Sequence, residues 1–104
     1  MNIKGSLQLL ILNVLSQGPS HGYQIASEIK KRSSGLLDFQ EGTLYPTLHN
    51  MERAGLLEVS DAEENGRTRR YYRLTESGKN MFKKELAEWQ QFTRAVNSNL
   101  EVKE

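Results

Sequence analysis

At 104 residues, 37% apolar and 26% charged, the chain holds one domain, with or without an appended element, and two independent cores would not fit. It contains no cysteine, which removes disulfide frameworks, thiolate metal sites and cysteine nucleophiles. The formal net charge of +1 says little as a total, so partners have to be read from where the charges fall.

The apolar pattern predicts a first helix over 4–16. Leu7, Leu9, Leu10, Ile11, Leu12, Val14 and Leu15 wrap nearly its whole circumference. Such a helix must be covered on two sides, here by the domain core and by a second copy of the chain. The stretch is too short to span a membrane, and no small-residue cleavage site follows it, so it reads as a core helix and not a leader. Gly18-Pro19 ends it. Ser20 is the expected N-cap of a second helix over 21–32. Tyr23, Ile25, Ala26 and Ile29 are expected to face inward, with Lys30, Lys31 and Arg32 at the negative carboxyl end. Ser33-Ser34-Gly35 stops this helix, and Leu37 and Phe39 anchor the connector that follows.

A third helix is expected from Gly42 to Ala54, ended by Gly55, with Leu44, Leu48 and Met51 as its buried stripe. Pro46 helps to locate the start. With Gly42 or Thr43 as cap it falls in the first turn, where its missing N–H costs little. Next come a strand over Leu56–Ser60, an acidic, flexible tip over Asp61–Gly66 longer than a two-residue turn, and a strand over Thr68–Leu74. Tyr72 and Leu74 point to the core. Thr75 caps a last helix over 76–99, in which Phe82, Leu86, Trp89, Thr93, Val96 and Leu100 follow heptad spacing, with Phe92 beside them. The tail from Glu101 to Glu104 is expected to fray.

Three short helices, a basic two-stranded hairpin and a pairing helix make a mostly α chain with a small β-hairpin. This is the plan of a winged helix-turn-helix, with residues 1–75 as the DNA-binding domain and 76–104 as the dimerisation helix. In that plan the outer face of the third helix carries Thr43, Tyr45, Pro46, Thr47, His49, Asn50 and Arg53, with the N–H groups around Gly42 and Thr43 placed to meet a phosphate. Asn50 suits adenine, Thr43 or Tyr45 suits phosphate or a thymine methyl, and Arg53 suits the backbone. Ser20 and Tyr23 join the candidate contacts from the second helix. Arg67, Arg69, Arg70 and Arg73 lie within seven residues free of acids, a local basic patch of the kind that neutralises phosphate. Charge alone is equally compatible with a solvated hairpin. Arg67 is placed to enter a minor groove, whereas Arg70 and Arg73 lie close enough to the body to pair with local acids.

An enzyme finds no support in this inventory. No nucleophile elbow or phosphate loop is present, and His21 and His49 stand far apart, with no metal-ligand spacing around them. No cofactor is expected. A winged helix used only for protein contacts is the stronger rival, because fold alone does not dictate DNA binding.

The runs HGYQI (21–25), EGTLYPTLHNMERAGLLE (41–58) and RRYYRLTESGK (69–79) resemble the PadR family of bacterial transcriptional regulators, and a single carboxyl-terminal helix resembles its short subgroup. The resemblance implies a cytoplasmic homodimer joined through its first and last helices, with Leu7, Leu10, Phe82, Phe92, Val96 and Leu100 in the seam. It implies binding to double-stranded DNA at a palindromic operator, usually to repress. It also implies a role for Trp89: multidrug-sensing members stack flat aromatic ligands between paired tryptophans at the dimer centre, and here Leu9, Leu86 and Trp89 match that pore. One turn beyond the tryptophan those sensors carry an acid, whereas this chain has Thr93. The implied effector is a small aromatic ligand; a Trp89 that only fills the seam is the plain alternative.

Overall fold

Residues 3–101 are described by a computed structural model. In chain order they form α1 (Ile3–Leu15), β1 (Ser20–His21), α2 (Gly22–Arg32), α3 (Glu41–Arg53), β2 (Leu57–Glu64), β3 (Arg67–Leu74) and α4 (Glu76–Leu100). The strands make one antiparallel sheet in the order β1-β3-β2. Of the expected tail, Glu101 ends α4 with a left-handed φ of 59°, and residues 102–104 lie outside the described range.

The all-round apolar character of α1 is satisfied largely within the chain. Leu7, Ile11, Leu12, Val14 and Leu15 enter one core with Ile25, Ile29, Leu44, Leu48, Met51, Leu57, Tyr72 and Leu74, and α1 packs on α2, α3, α4 and β3. Leu7 is only 1% exposed, so its place in the expected dimer seam is corrected: it belongs to the chain's own core. Leu10 and Phe82 also pack against that core, each partly buried.

The start of α2 differs from the expectation. Ser20 is buried in β1, paired with Tyr72, and the cap is His21, whose Nδ1 accepts from the Gln24 N–H at 3.2 Å. A two-residue strand carries no periodicity, which is why the sequence hid it. Tyr23 points outward at 73% exposure, not inward.

Pro46 also sits deeper than expected. The helix α3 begins at Glu41 with Gln40 as cap, so Pro46 falls in the second turn, where its ring deprives the Gly42 carbonyl of an N–H partner. Gly42 and Pro46 both lie on the exposed side, where water can take that carbonyl. At its other end α3 closes as read: Gly55 adopts φ 79°, its N–H reaches the Glu52 carbonyl, and the Leu56 N–H reaches Met51, a Schellman stop.

The expected six-residue flexible tip is instead ladder. Asp61 to Glu64 continue β2, facing Arg70 to Arg67 in register. Only Asn65 and Gly66 turn the chain, both at positive φ (50° and 77°), as a primed two-residue hairpin turn requires.

The junction between α3 and α4 is a backbone contact. Thr75 accepts at Oγ1 from the Gly78 N–H at 3.0 Å, donates from the same oxygen to the Gly55 carbonyl at 2.6 Å, and its N–H donates to the Leu56 carbonyl at 3.1 Å. A Cβ on Gly78 would collide with that Leu56 carbonyl oxygen. From this anchor α4 runs for 25 residues, and the molecule's longest dimension reaches 53 Å. At an ordinary helical position alanine is favoured over glycine by about 1 kcal/mol. Here Gly78→Ala should instead destabilise by roughly 1–3 kcal/mol, since backbone cannot step aside, measured as a lower urea midpoint; an unchanged or higher midpoint contradicts the close contact.

Candidate nucleic-acid interface

The outward side of α3 is set by its buried stripe. With Leu44, Leu48 and Met51 in the core, Gly42, Tyr45, Pro46, His49, Asn50 and Arg53 are exposed and Thr43 is half-buried. Thr47 donates its hydroxyl to the Thr43 carbonyl at 2.9 Å. Gln40 supplies no side-chain cap, but its carbonyl takes the Thr43 N–H at 3.0 Å. The third-helix residues singled out from sequence share one side of the helix, with Thr43 and Thr47 half-buried at its edge.

Beside that face stands the start of α2. Gly22 is buried, and a Cβ there would come within 2.7 Å of the Tyr45 ring and hydroxyl. The missing side chain is what allows Tyr45 to lie across the amino end of α2. The Tyr45 side chain also approaches Tyr72, whose phenol is pushed up from its ordinary value chiefly by burial, with the Arg70 guanidinium opposing. A groove lined by His21, Gly22, Tyr23, Tyr45, Arg69 and Arg70 runs between the helices and the hairpin. Ser20, expected here as a contact, is 8% exposed and offers this surface little.

The hairpin brings the four arginines together but engages most of them. Arg73 contacts Glu58 at 2.5 Å, Arg70 contacts Asp61 at 3.7 Å, and Arg69 contacts Glu64 at 3.7 Å. The expectation that Arg70 and Arg73 pair with local acids describes what is found. Arg69, expected to be available for phosphate, also faces His21 Nε2 at 3.5 Å. Tyr71 donates its hydroxyl to Glu64, and that bond is the main cause of its raised phenol pKa. Its ring meets His21 edge-on, with centroids 5.6 Å apart. Sequence reasoning missed this His21–Tyr71–Glu64–Arg69 cluster, since it depends on β1 pairing with β3. Among the described residues no ion pair involves Arg67 or Arg53.

On α4 the outer portion presents Phe92, Val96 and Leu100 at 45%, 38% and 67% exposure. Trp89 is half-buried with its ring 6.2 Å from that of Phe92. Leu86 and Thr93 are half-buried, and the Thr93 hydroxyl is enclosed without a hydrogen-bond partner. Leu9, placed with them from sequence, is itself only 7% exposed. Gln8 donates to Glu85 at 2.7 Å, tying α1 to α4 one turn before Trp89. No group of His, Asp or Glu among the described residues has the arrangement to hold a metal ion.

The family model described as the transcriptional regulator PadR-like family matches residues 11–84. The transcriptional regulator Rv3488 of Mycobacterium tuberculosis is 34% identical over 76 residues, covering 73% of this chain and 68% of that protein. The fold superposes on a PadR family transcription regulator from Clostridium difficile with a TM-score of 0.83 at 31% identity, over 92% of this chain and 99% of that one. It also superposes on Bacillus subtilis PadR in complex with operator DNA, with a TM-score of 0.71 at 26% identity, over 77% of this chain and 45% of that one. The Gly22–Tyr45 contact gives a direct test of how this face is held. Because the obstructing atoms end a flexible side chain, Gly22→Ala should change the unfolding free energy by less than about 1 kcal/mol while displacing the Tyr45 ring. Altered Tyr45 ring resonances with an unshifted melting curve are expected; unaltered resonances would show that Tyr45 is held elsewhere.

Proposed function

The chain belongs to the PadR-like family of transcriptional regulators, and from that membership we propose that it is a homodimeric repressor that reads a palindromic operator through α3 and the hairpin. It is a regulator and not an enzyme. The observation that carries the reading is the joint exposure of Tyr45, His49, Asn50 and Arg53 on α3, with Thr43 half-buried next to them, beside a hairpin whose Arg67 is uncommitted. The part of the chain before α4 then forms the DNA-binding unit, and α4 (Glu76–Leu100) is the pairing helix. Gly42, Thr43 and Tyr45 lie nearest the amino end of α3, where N–H groups and side chains meet phosphate; Asn50 reads a base edge and Arg53 holds backbone. Tyr23 and Pro46 flank the contact, and Arg67 enters the minor groove. Support also comes from the operator-bound state of the Bacillus subtilis relative. No helix among the described residues is long and apolar enough to cross a membrane, in keeping with a cytoplasmic site of action.

The proposed dimer rests on α4. An apolar row of Trp89, Phe92, Val96 and Leu100, exposed or half-buried beyond the body of the fold, is poorly suited to water, and a second copy would cover it. A small aromatic effector would lie between the two copies against Trp89, Leu86 and Thr93, with Leu9 behind them.

Electrophoresis of the protein with the duplex upstream of its own coding region should give a retarded complex at low salt. A complete lack of retardation would sink the regulator mechanism drawn here. Arg67→Ala should weaken binding to all duplexes and flatten the salt dependence by about two units per dimer. In sedimentation at micromolar concentration the protein should run as a dimer, and the double variant Phe92→Glu, Val96→Glu as a monomer. Planar aromatic compounds should quench Trp89 in the dimer; a flat response across a broad panel would leave that residue a packing role only.

A further inference from the structure

The hairpin arginines have a second set of partners built into the fold. Between Leu57 and Leu74 the sequence holds four arginines (67, 69, 70 and 73) and four carboxylates (58, 61, 63 and 64), so the hairpin is neutral as a unit. The register is what brings the signs together: Glu58 stands opposite Arg73, Asp61 opposite Arg70, and Glu64 opposite Arg67. Glu64 is drawn away from Arg67 toward Arg69 and the Tyr71 hydroxyl, which leaves Arg67 at the tip as the uncommitted cation. Nor does α3 supply compensating charge, since Arg53 is outnumbered there by Glu41 and Glu52.

These pairs do little for the fold. The side chains of Arg70 and Asp61 are 62% and 59% exposed, and those of Arg73 and Glu58 are 62% and 56% exposed; exposed pairs contribute between about zero and 1 kcal/mol. Their larger effect falls on any phosphate that seeks the same guanidinium groups. An arginine that turns to DNA leaves its carboxylate behind, a few ångströms from the phosphate and well inside the Debye length of about 8–10 Å. Attraction and repulsion then nearly cancel.

We infer that Asp61, together with Glu58 and Glu64, sets an upper limit on DNA affinity by acting as an intramolecular stand-in for phosphate. The inference rests on the reading that the hairpin meets the DNA backbone. Because phosphate contacts carry no sequence information, these acids weaken binding to bulk DNA as much as to an operator. Selection of a site is thereby left to the α3 side chains.

The test is fluorescence anisotropy of a labelled mixed-sequence duplex titrated across KCl concentration, with wild type, Asp61→Asn, Asp61→Glu and Arg67→Ala. Asp61→Asn should bind roughly tenfold more tightly near 0.1 M salt and steepen the salt dependence by up to about two units per dimer. Asp61→Glu should behave as wild type, and adding Arg70→Ala to Asp61→Asn should remove the gain. Glu58→Gln provides the same test at Arg73, and thermal melts followed by circular dichroism confirm that each variant is folded. If Asp61→Asn and Glu58→Gln leave affinity and slope unchanged while Arg67→Ala weakens binding, the inference is overturned and the DNA-binding mechanism stands. If Arg67→Ala also has no effect, or no protein binds, the hairpin does not meet phosphate and both fall.

Discussion

The meeting of α3 and α4 is the constraint on which the rest of the architecture turns. One hydroxyl, that of Thr75, receives the amino end of α4 and gives to the Gly55 carbonyl just past α3, and Gly78 lets the first turn of α4 touch the Leu56 carbonyl of the connection to β2. A side chain at that point would push α4 off this connection, and packing at native density has no slack to absorb it. The direction in which α4 leaves the body is therefore fixed relative to the helix that presents Asn50 and Arg53. In a symmetric pair joined along α4, that direction sets the separation of the two reading helices. Under the proposed dimer, the spacing of the half-sites would follow from a contact lying at neither the DNA nor the dimer face.

A second theme is restraint of charge. A chain with a formal charge of +1 cannot rely on a broad positive field to collect DNA, and its hairpin cancels its own cations across the ladder. What remains is a small number of placed groups: Arg67 at the tip, Arg53 on α3, and the polar face between them. A binder built this way gains most of its discrimination from fit. On the inference drawn above, a weak hold on random sequence would also shorten the time spent on the wrong site.

Much of this was legible in the sequence because the relevant signals are local and periodic. The stripe Leu44, Leu48, Met51 and the stop at Gly55 placed the third helix and its outer face, and Thr75 announced α4. The misreadings have a common physical origin, since each residue answers to a partner distant along the chain. Ser20 was taken for a cap because nothing nearby reveals that it pairs with Tyr72. Asp61 to Glu64 were read as a soft tip because acids disfavour strands locally, yet facing arginines make the ladder acceptable. Pro46 was pushed to the first turn by a rule about hydrogen bonds, which an exposed carbonyl can evade through water. Leu7 was given to a partner because the sequence cannot tell which covering surface belongs to the same chain.

The burial of α1 has a consequence in time as well as in space. It precedes its partners in the chain and, apolar on nearly every side, is poorly fit to stand alone. Beside α2 and α3 it has partners that come late: β3 ends at Leu74, and the Glu85 that holds Gln8 lies 77 positions downstream. The helices α2 and α3 can cover part of it, but the faces met by β3 and α4 stay open until those elements have formed. Closure of long loops then makes folding a single late event. Until β3 and α4 have docked, α1 is the point at which incomplete folding would lead to aggregation.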